Sequence, residues 1–189
     1  MSDIASKRPT LELKWSVIGK SGERRLVPVT KKSKAVPAPE SSEKEENRAD
    51  NTIVVGEKLR LELKSDMDGY LSFFDFGTSG KLTRLFPCPQ LSTVDNRIEA
   101  GKTYSAPGEL LPIPAFLVCG PTTAESGRKE RLLVIVTRNK VELTEAALLN
   151  AGARFAARGG FGAVEETVSS LLDLPDDEWT YGLLESEVV

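Results

Sequence analysis

Few residues in this chain have types and spacings that suggest chemistry, and histidine is not among them. Without an imidazole, Ser-His-Asp and Cys-His catalysis, histidine-ligated zinc or iron, and a histidine pH switch are excluded. The two cysteines, Cys88 and Cys119, lie in or beside apolar strand-like segments. They read as small buried hydrophobes, since free cysteine is among the most buried residue types and a thiol nucleophile here lacks its base. A Cys88–Cys119 bridge or a reactive thiol are the lesser alternatives. Asp66-Met67-Asp68-Gly69 looks like part of a calcium loop. The further ligands, distal Glu and flanking helices of an EF-hand are missing, so it reads as a hairpin turn. Gly159-Gly160-Phe161-Gly162 precedes a helix-like stretch and could hold an anion on backbone N–H groups. It lacks the Lys-Ser/Thr pair and preceding strand of a phosphate loop, and reads as a helix–helix turn. Asp173, Asp176, Asp177 and Glu178 could pair as acid and base, but Pro175 sets them in a solvated turn. No catalytic, metal or cofactor residue is assigned and no enzyme is expected, although composition leaves a carboxylate acid/base pair open.

The elements that must position such groups are mostly strands. The 189 residues suffice for one domain with its own core, and 40% are hydrophobic, an ordinary globular composition. Lys and Arg total 25 against 28 Asp and Glu, for a net charge of −3. That leaves no basic excess for a phosphate backbone. The longest apolar run, Leu132 to Val136, is too short to cross a bilayer, and Met1 to Pro9 has no apolar signal core. A cytoplasmic protein is expected, with no membrane or nucleic-acid partner.

Residues 1–10 read as a flexible N-terminus, and residues 11–189 as one β-sandwich domain. Leu11, Leu13, Trp15 and Val17 alternate with Glu12, Lys14 and Ser16, the period of a half-buried strand. Gly19 to Gly22 is a turn, and Arg25 to Thr30 a returning strand. Lys31 to Asp50 is charge-rich, with Pro37 and Pro39, and buries too little to offset ordering entropy. It reads as a disordered insertion: a solvated linker, or a tether for a partner. The β signal resumes over Thr52 to Ser65, where Leu59, Leu61 and Leu63 alternate with charged residues. Tyr70 to Phe76 is apolar on both faces and reads as a central strand. Gly77 to Gly80 closes a hairpin, and Lys81 to Phe86 returns. Asp95-Asn96 is an Asx-type turn, and Ile98 to Tyr104 a short edge strand. Ala115 to Cys119 and Arg131 to Arg138 are strands, the second central. Residues 144–174 read as a helical insertion, and Trp179 to Val189 as the last strand. The sum is a mainly β protein: an Ig-like antiparallel β-sandwich with a short C-terminal helical segment and a final strand.

An ordered set of motifs runs from Val55 to Thr137. Gly56-Glu57-Lys58-Leu59-Arg60-Leu61 leads to Asp68-Gly69-Tyr70-Leu71, then Gly80-Lys81 and Leu85-Phe86-Pro87. Asp95-Asn96-Arg97-Ile98 and Ala100-Gly101-Lys102-Thr103-Tyr104 follow, with Pro107 before the Arg131 to Thr137 strand. This order resembles the bacterial domain-of-unknown-function 4384 family. The strand Leu13 to Ile18 also looks like the one that often precedes that domain. The resemblance implies a β-rich, Ig-like module without established activity, often attached to or encoded near caspase-like peptidases and serine/threonine kinases. Residues 31–50 and 146–172 depart from the family pattern. The motif residues Gly69, Tyr70, Leu85, Phe86, Pro87, Asp95, Asn96 and Gly101 read as structural. Gly69 and Gly101 suit turns. Tyr70 opens a buried strand with a hydroxyl that needs a partner. Phe86-Pro87 plugs the sandwich end, and Asn96 bonds its own loop.

Two functions are therefore expected to compete. The first is a non-catalytic protein-interaction or accessory module of a signalling or defence-type system, using sheet edges or the Gly160-Phe161 region. Its partner would be a caspase-like peptidase or a kinase, with Lys32 or Arg48 as candidate cleavage sites. The alternative is a small-ligand or glycan-binding β-domain, which would gather Tyr104, Trp179 and Tyr181 on one exposed face.

Overall fold

The computed structural model describes residues 9–18, 24–27, 52–76, 82–88, 95–111, 113, 116–117, 129–143, 148, 168 and 172–189. They form β1 (Leu11–Ile18), β2 (Arg24–Val27), β3 (Thr52–Ile53), β4 (Lys58–Ser65), β5 (Gly69–Phe76) and β6 (Leu82–Phe86). There follow β7 (Arg97–Ile98), β8 (Thr103–Ala106), β9 (Phe116–Leu117), β10 (Lys129–Thr137) and β11 (Trp179–Val188). One sheet has the order β2-β1-β4-β8, with β9 also on β4; the other runs β3-β11-β10-β5-β6, with β7 also on β5.

Period-two patterning selects the faces. Leu13, Trp15 and Val17 of β1 and Leu59, Leu61 and Leu63 of β4 point into one buried cluster. Leu71 and Phe73 of β5, Val134 and Val136 of β10, and Leu184 and Val188 of β11 meet them from the other sheet. The expected β-sandwich is therefore present, and β5 and β10 are its central strands. They are apolar on both faces because the outer face is buried too. Phe74, Ile135 and Trp179 pack there with Leu143, Leu148, Val168 and Leu172.

Several expectations are corrected. The sandwich is not wholly antiparallel, because β3 pairs with β11 in parallel. The β signal over 52–65 is two strands from different sheets, separated by a turn in which Gly56 takes φ 86°. Likewise Ile98 to Tyr104 is not one edge strand. Gly101, at φ 76°, turns the chain so that β7 joins β5 and β8 joins β4. Leu148, Val168 and Leu172 are each in helical conformation, but no helix with defined bounds is among the described elements, so the C-terminal helical segment is not supported as an element. Of residues 144–174 only Leu148, Val168 and 172–174 are described. The insertion read over 31–50 lies outside the described residues.

Two local readings change in their physics. Gly69 is not left-handed; it begins β5 where an added Cβ would run into the Thr137 carbonyl oxygen of β10. Glycine is there for close strand approach rather than for φ. Asn96 does not bond its own loop. Its Nδ2 donates to the Leu71 carbonyl oxygen at 3.0 Å, and its own carbonyl oxygen accepts from Leu71 N at 2.8 Å. It thus continues the β7–β5 ladder with a side chain. The Asx turn is made by Asp95, whose Oδ1 accepts from Arg97 N at 3.1 Å.

Candidate functional site

On β5 the inward positions run Leu71, Phe73 and then Asp75. On β10 they run Glu130, Leu132, Val134 and Val136. Each central strand thus carries an acid where its buried face reaches one end of the sandwich. Leu132 lies opposite Asp75, which puts Glu130 on the diagonal. Burial, the Glu130 charge and a hydrogen bond with Glu130 push Asp75 up to about 8. Two carboxyl groups bond to each other only through a proton, so Asp75 keeps one at neutral pH.

This pair stands in a cleft of about 200 Å³ between the sheets. From the first sheet it is lined by Trp15, Leu59, Leu61 and Phe116; from the second by Asp75, Leu85, Glu130 and Leu132. Leu85 arrives through an irregularity. Phe73 pairs with Phe86 and Phe74 with Arg84, which leaves Leu85 as an extra residue in β6. The bulge sets consecutive side chains to work: Phe86 stacks on Phe73 at 5.2 Å, while Leu85 lines the cleft. Phe116 meets Phe73 edge-on at 6.4 Å. Trp15 is 5% exposed, and its Nε1–H has no hydrogen-bond partner. A buried indole N–H without an acceptor carries a desolvation cost that a ligand oxygen or a water would relieve.

The motif residues divide between the ends of the sandwich. Leu85 lines the cleft, Phe86 is fully buried beneath it, and Pro87 follows, half-buried, through a cis peptide bond. Gly69, Tyr70, Asp95, Asn96 and Gly101 lie at the opposite end, around the start of β5. Tyr70 is half-buried there. Lys32, Arg48, Gly160 and Phe161 lie outside the described residues. Of the cysteines only Cys88 is described; it is half-buried against the main core and forms no disulfide. The Asp66–Gly69 turn uses its acids on backbone: Asp66 accepts from Thr10 N and Asp68 from Ala100 N, both at 2.7 Å. The acidic turn before β11 is tied to Arg138, whose N donates to the Glu178 carbonyl oxygen at 2.7 Å. Among the described residues no group of three or more His, Cys, Asp or Glu could hold a metal. The three aromatics do not share a face. Tyr104 is in the main core with its hydroxyl accepting from Glu99 N, while Trp179 and Tyr181 stack on the outer cluster.

Sequence reasoning missed Asp75, Glu130 and Trp15 as a site. The signal was the alternation itself. An acid at the inward parity of a central strand breaks the apolar pattern, and two such breaks fall on strands that pair.

Fold and site together define a class: a two-sheet β-sandwich with a small, mostly apolar cleft between its sheets and a carboxyl pair at one end. Residues 52–140 match the family described as Domain of unknown function (DUF4384), which confirms the resemblance over that stretch. No curated protein and no solved structure matches the chain. The matched stretch holds Asp75, Leu85, Phe116 and Glu130; β1 with Trp15, and β11, lie outside it. No helix among the described residues is long and apolar enough to cross a membrane.

Proposed function

We propose that this protein is a non-catalytic interaction module of a bacterial signalling or defence-type system, acting in the cytoplasm. It holds its partner by seating one partner side chain in the cleft between the sheets. The cleft is the observation that carries this reading. Its volume corresponds to about seven waters at ~30 Å³ each, room for a side chain rather than a nucleotide. Its lining is apolar, with a few polar groups to orient the guest, the usual composition of a recognition pocket. The edge strand β2, where Leu26 is 66% exposed, offers backbone pairing as a second contact. A caspase-like peptidase or a serine/threonine kinase is the partner class to try first, as the family resemblance implies.

Paired carboxyls are also the equipment of acid/base catalysis. The described lining holds no Ser, Thr, Cys or Lys nucleophile beside them, which favours binding over reaction. The glycan-binding alternative lacks its aromatic platform.

Random peptides selected on the full-length chain should converge on a common motif. Leu85→Arg, which sends a long cationic side chain into the cleft, should weaken those peptides at least about tenfold, the worth of one charge-assisted hydrogen bond. A circular-dichroism melt of the variant verifies its fold. Equal binding to both proteins, or no enriched motif, would overturn the proposal.

A further inference from the structure

We propose that the outer face of the first sheet binds an acidic peptide segment of a partner protein, on a surface separate from the cleft. Parity sets this face. Leu13, Trp15 and Val17 of β1 and Leu59, Leu61 and Leu63 of β4 point inward. The alternate positions therefore point outward, with Glu12 and Lys14 on β1 and Lys58, Arg60, Glu62 and Lys64 on β4. Arg24 of β2 pairs with Ile18 and so shares the outward parity. Five cations thus stand against two carboxylates, a balance of +3 in a chain of −3.

The surplus is local. Glu62 takes Arg24 at 2.7 Å, and Glu12 stands across from Lys64. Lys14, Lys58 and Arg60 remain. Residues two apart on a strand are about 7 Å apart, so these three form one patch. Lys14 and Lys58 are exposed and make no ion pair among the described residues. Arg60 is half-exposed, and its Nε lies 3.9 Å from Glu62, beyond hydrogen-bonding reach. The excess already acts on the carboxyl in its midst. The Arg24 hydrogen bond, with the charges of Arg24, Arg60 and Lys14, outweighs partial burial and holds Glu62 below its usual range. The surroundings of the patch select the occupant. No outward position of β1 or β4 holds an aromatic ring on which a base could stack. Glu12 and Glu62 would repel the dense charge of a phosphate backbone or an anionic bilayer. Carboxylates spaced along a peptide can meet the cations and miss the two acids. Leu26, 66% exposed, lies across Ser16 from Arg60 and offers contact to an apolar residue between those carboxylates.

The probes are a fluorescein-labelled peptide of repeated Glu-Leu-Glu units and its Gln-Leu-Gln counterpart, titrated with the full-length protein and followed by anisotropy. The acidic peptide should bind at least about tenfold more tightly at low ionic strength. It should lose most of that preference at about 1 M salt, where screening acts within ~3 Å. Lys14→Glu and Lys58→Glu, both changes of exposed side chains, should each weaken the acidic peptide at least about threefold. Lys140→Glu, an equal charge change at an exposed lysine beyond β10, should alter it less than about twofold. Circular-dichroism melts verify that the variants fold. Leu85→Arg, inside the cleft, should leave acidic-peptide binding unchanged, so this surface and the cleft reading stand or fall separately. Equal binding of the two peptides, loss of binding in Leu85→Arg, or a Lys140→Glu effect as large as that of Lys14→Glu would overturn the proposal. So would tighter binding of a thymidine oligonucleotide or of phosphatidylserine vesicles than of the acidic peptide.

Discussion

Asp75 is the residue whose position most needs explaining. A leucine at this inward position would extend the core of β5; the carboxyl instead keeps its proton to about pH 8. In the unfolded chain the same group ionises near its ordinary value of 3.8. Between those two values the unfolded state gives up a proton that the folded state retains. Stability contributed by this residue is therefore present below about pH 4 and is lost as pH rises to about 8. Asp75→Asn removes that dependence. Urea titration should find the variant more stable than wild type by over about 1 kcal/mol at pH 8, with the gap closing toward pH 4. A variant less stable at both pH values would mean that the carboxyl is not buried at this cost. A group that weakens the fold at neutral pH is the kind a binding site retains.

At the scale of elements, β5 and β10 are the structural axis. Their inner faces build the main core, and their outer faces build a second cluster through Phe74, Ile135 and Trp179. Val134 and Phe74 thus sample different cores. Val134→Ala should cost about 2 kcal/mol and Phe74→Ala about 3 kcal/mol or more. A Phe74→Ala cost below about 1 kcal/mol by denaturant titration would show that Leu148, Val168 and Leu172 do not cover the outer face. Legibility in the sequence followed periodicity. The alternation of Leu11 to Val17 and of Leu59 to Leu63 gave β1 and β4 with their faces, and the continuous run Leu132 to Val136 gave a central strand. Short pieces were not legible. Strands of two residues, such as β3, β7 and β9, have no period to read, and their pairing is chosen by the sheet that receives them. The split of β7 and β8 between sheets follows from tertiary packing around Gly101, which local sequence does not encode.

At the scale of the whole molecule, the family-matched residues 52–140 do not complete either sheet. β1 pairs with β4 along its whole length, Leu11 to Ile18 against Ser65 to Lys58, and β11 pairs with β10 from Trp179 to Glu187. The cleft is likewise composite: Trp15 comes from outside the matched residues, and its other walls come from within. For this reason the site was hidden from a reading by motifs. Of the motif residues, Gly69, Tyr70, Asp95, Asn96 and Gly101 hold the far end of the sandwich, while Leu59, Leu61 and Leu85 reach the cleft. Asp75 and Glu130 are 55 residues apart in number, and only the antiparallel register of β5 and β10 makes them neighbours. The carboxyl pair is what distinguishes this cleft from an ordinary gap at the end of a sandwich. The most direct measurement is a side-chain ¹³C carboxyl titration of Asp75 in the full-length chain, with the Trp15 indole N–H followed in parallel. The account predicts a midpoint near 8 for Asp75, accompanied by movement of the indole resonance. A midpoint near 4, with the indole unmoved, would contradict it.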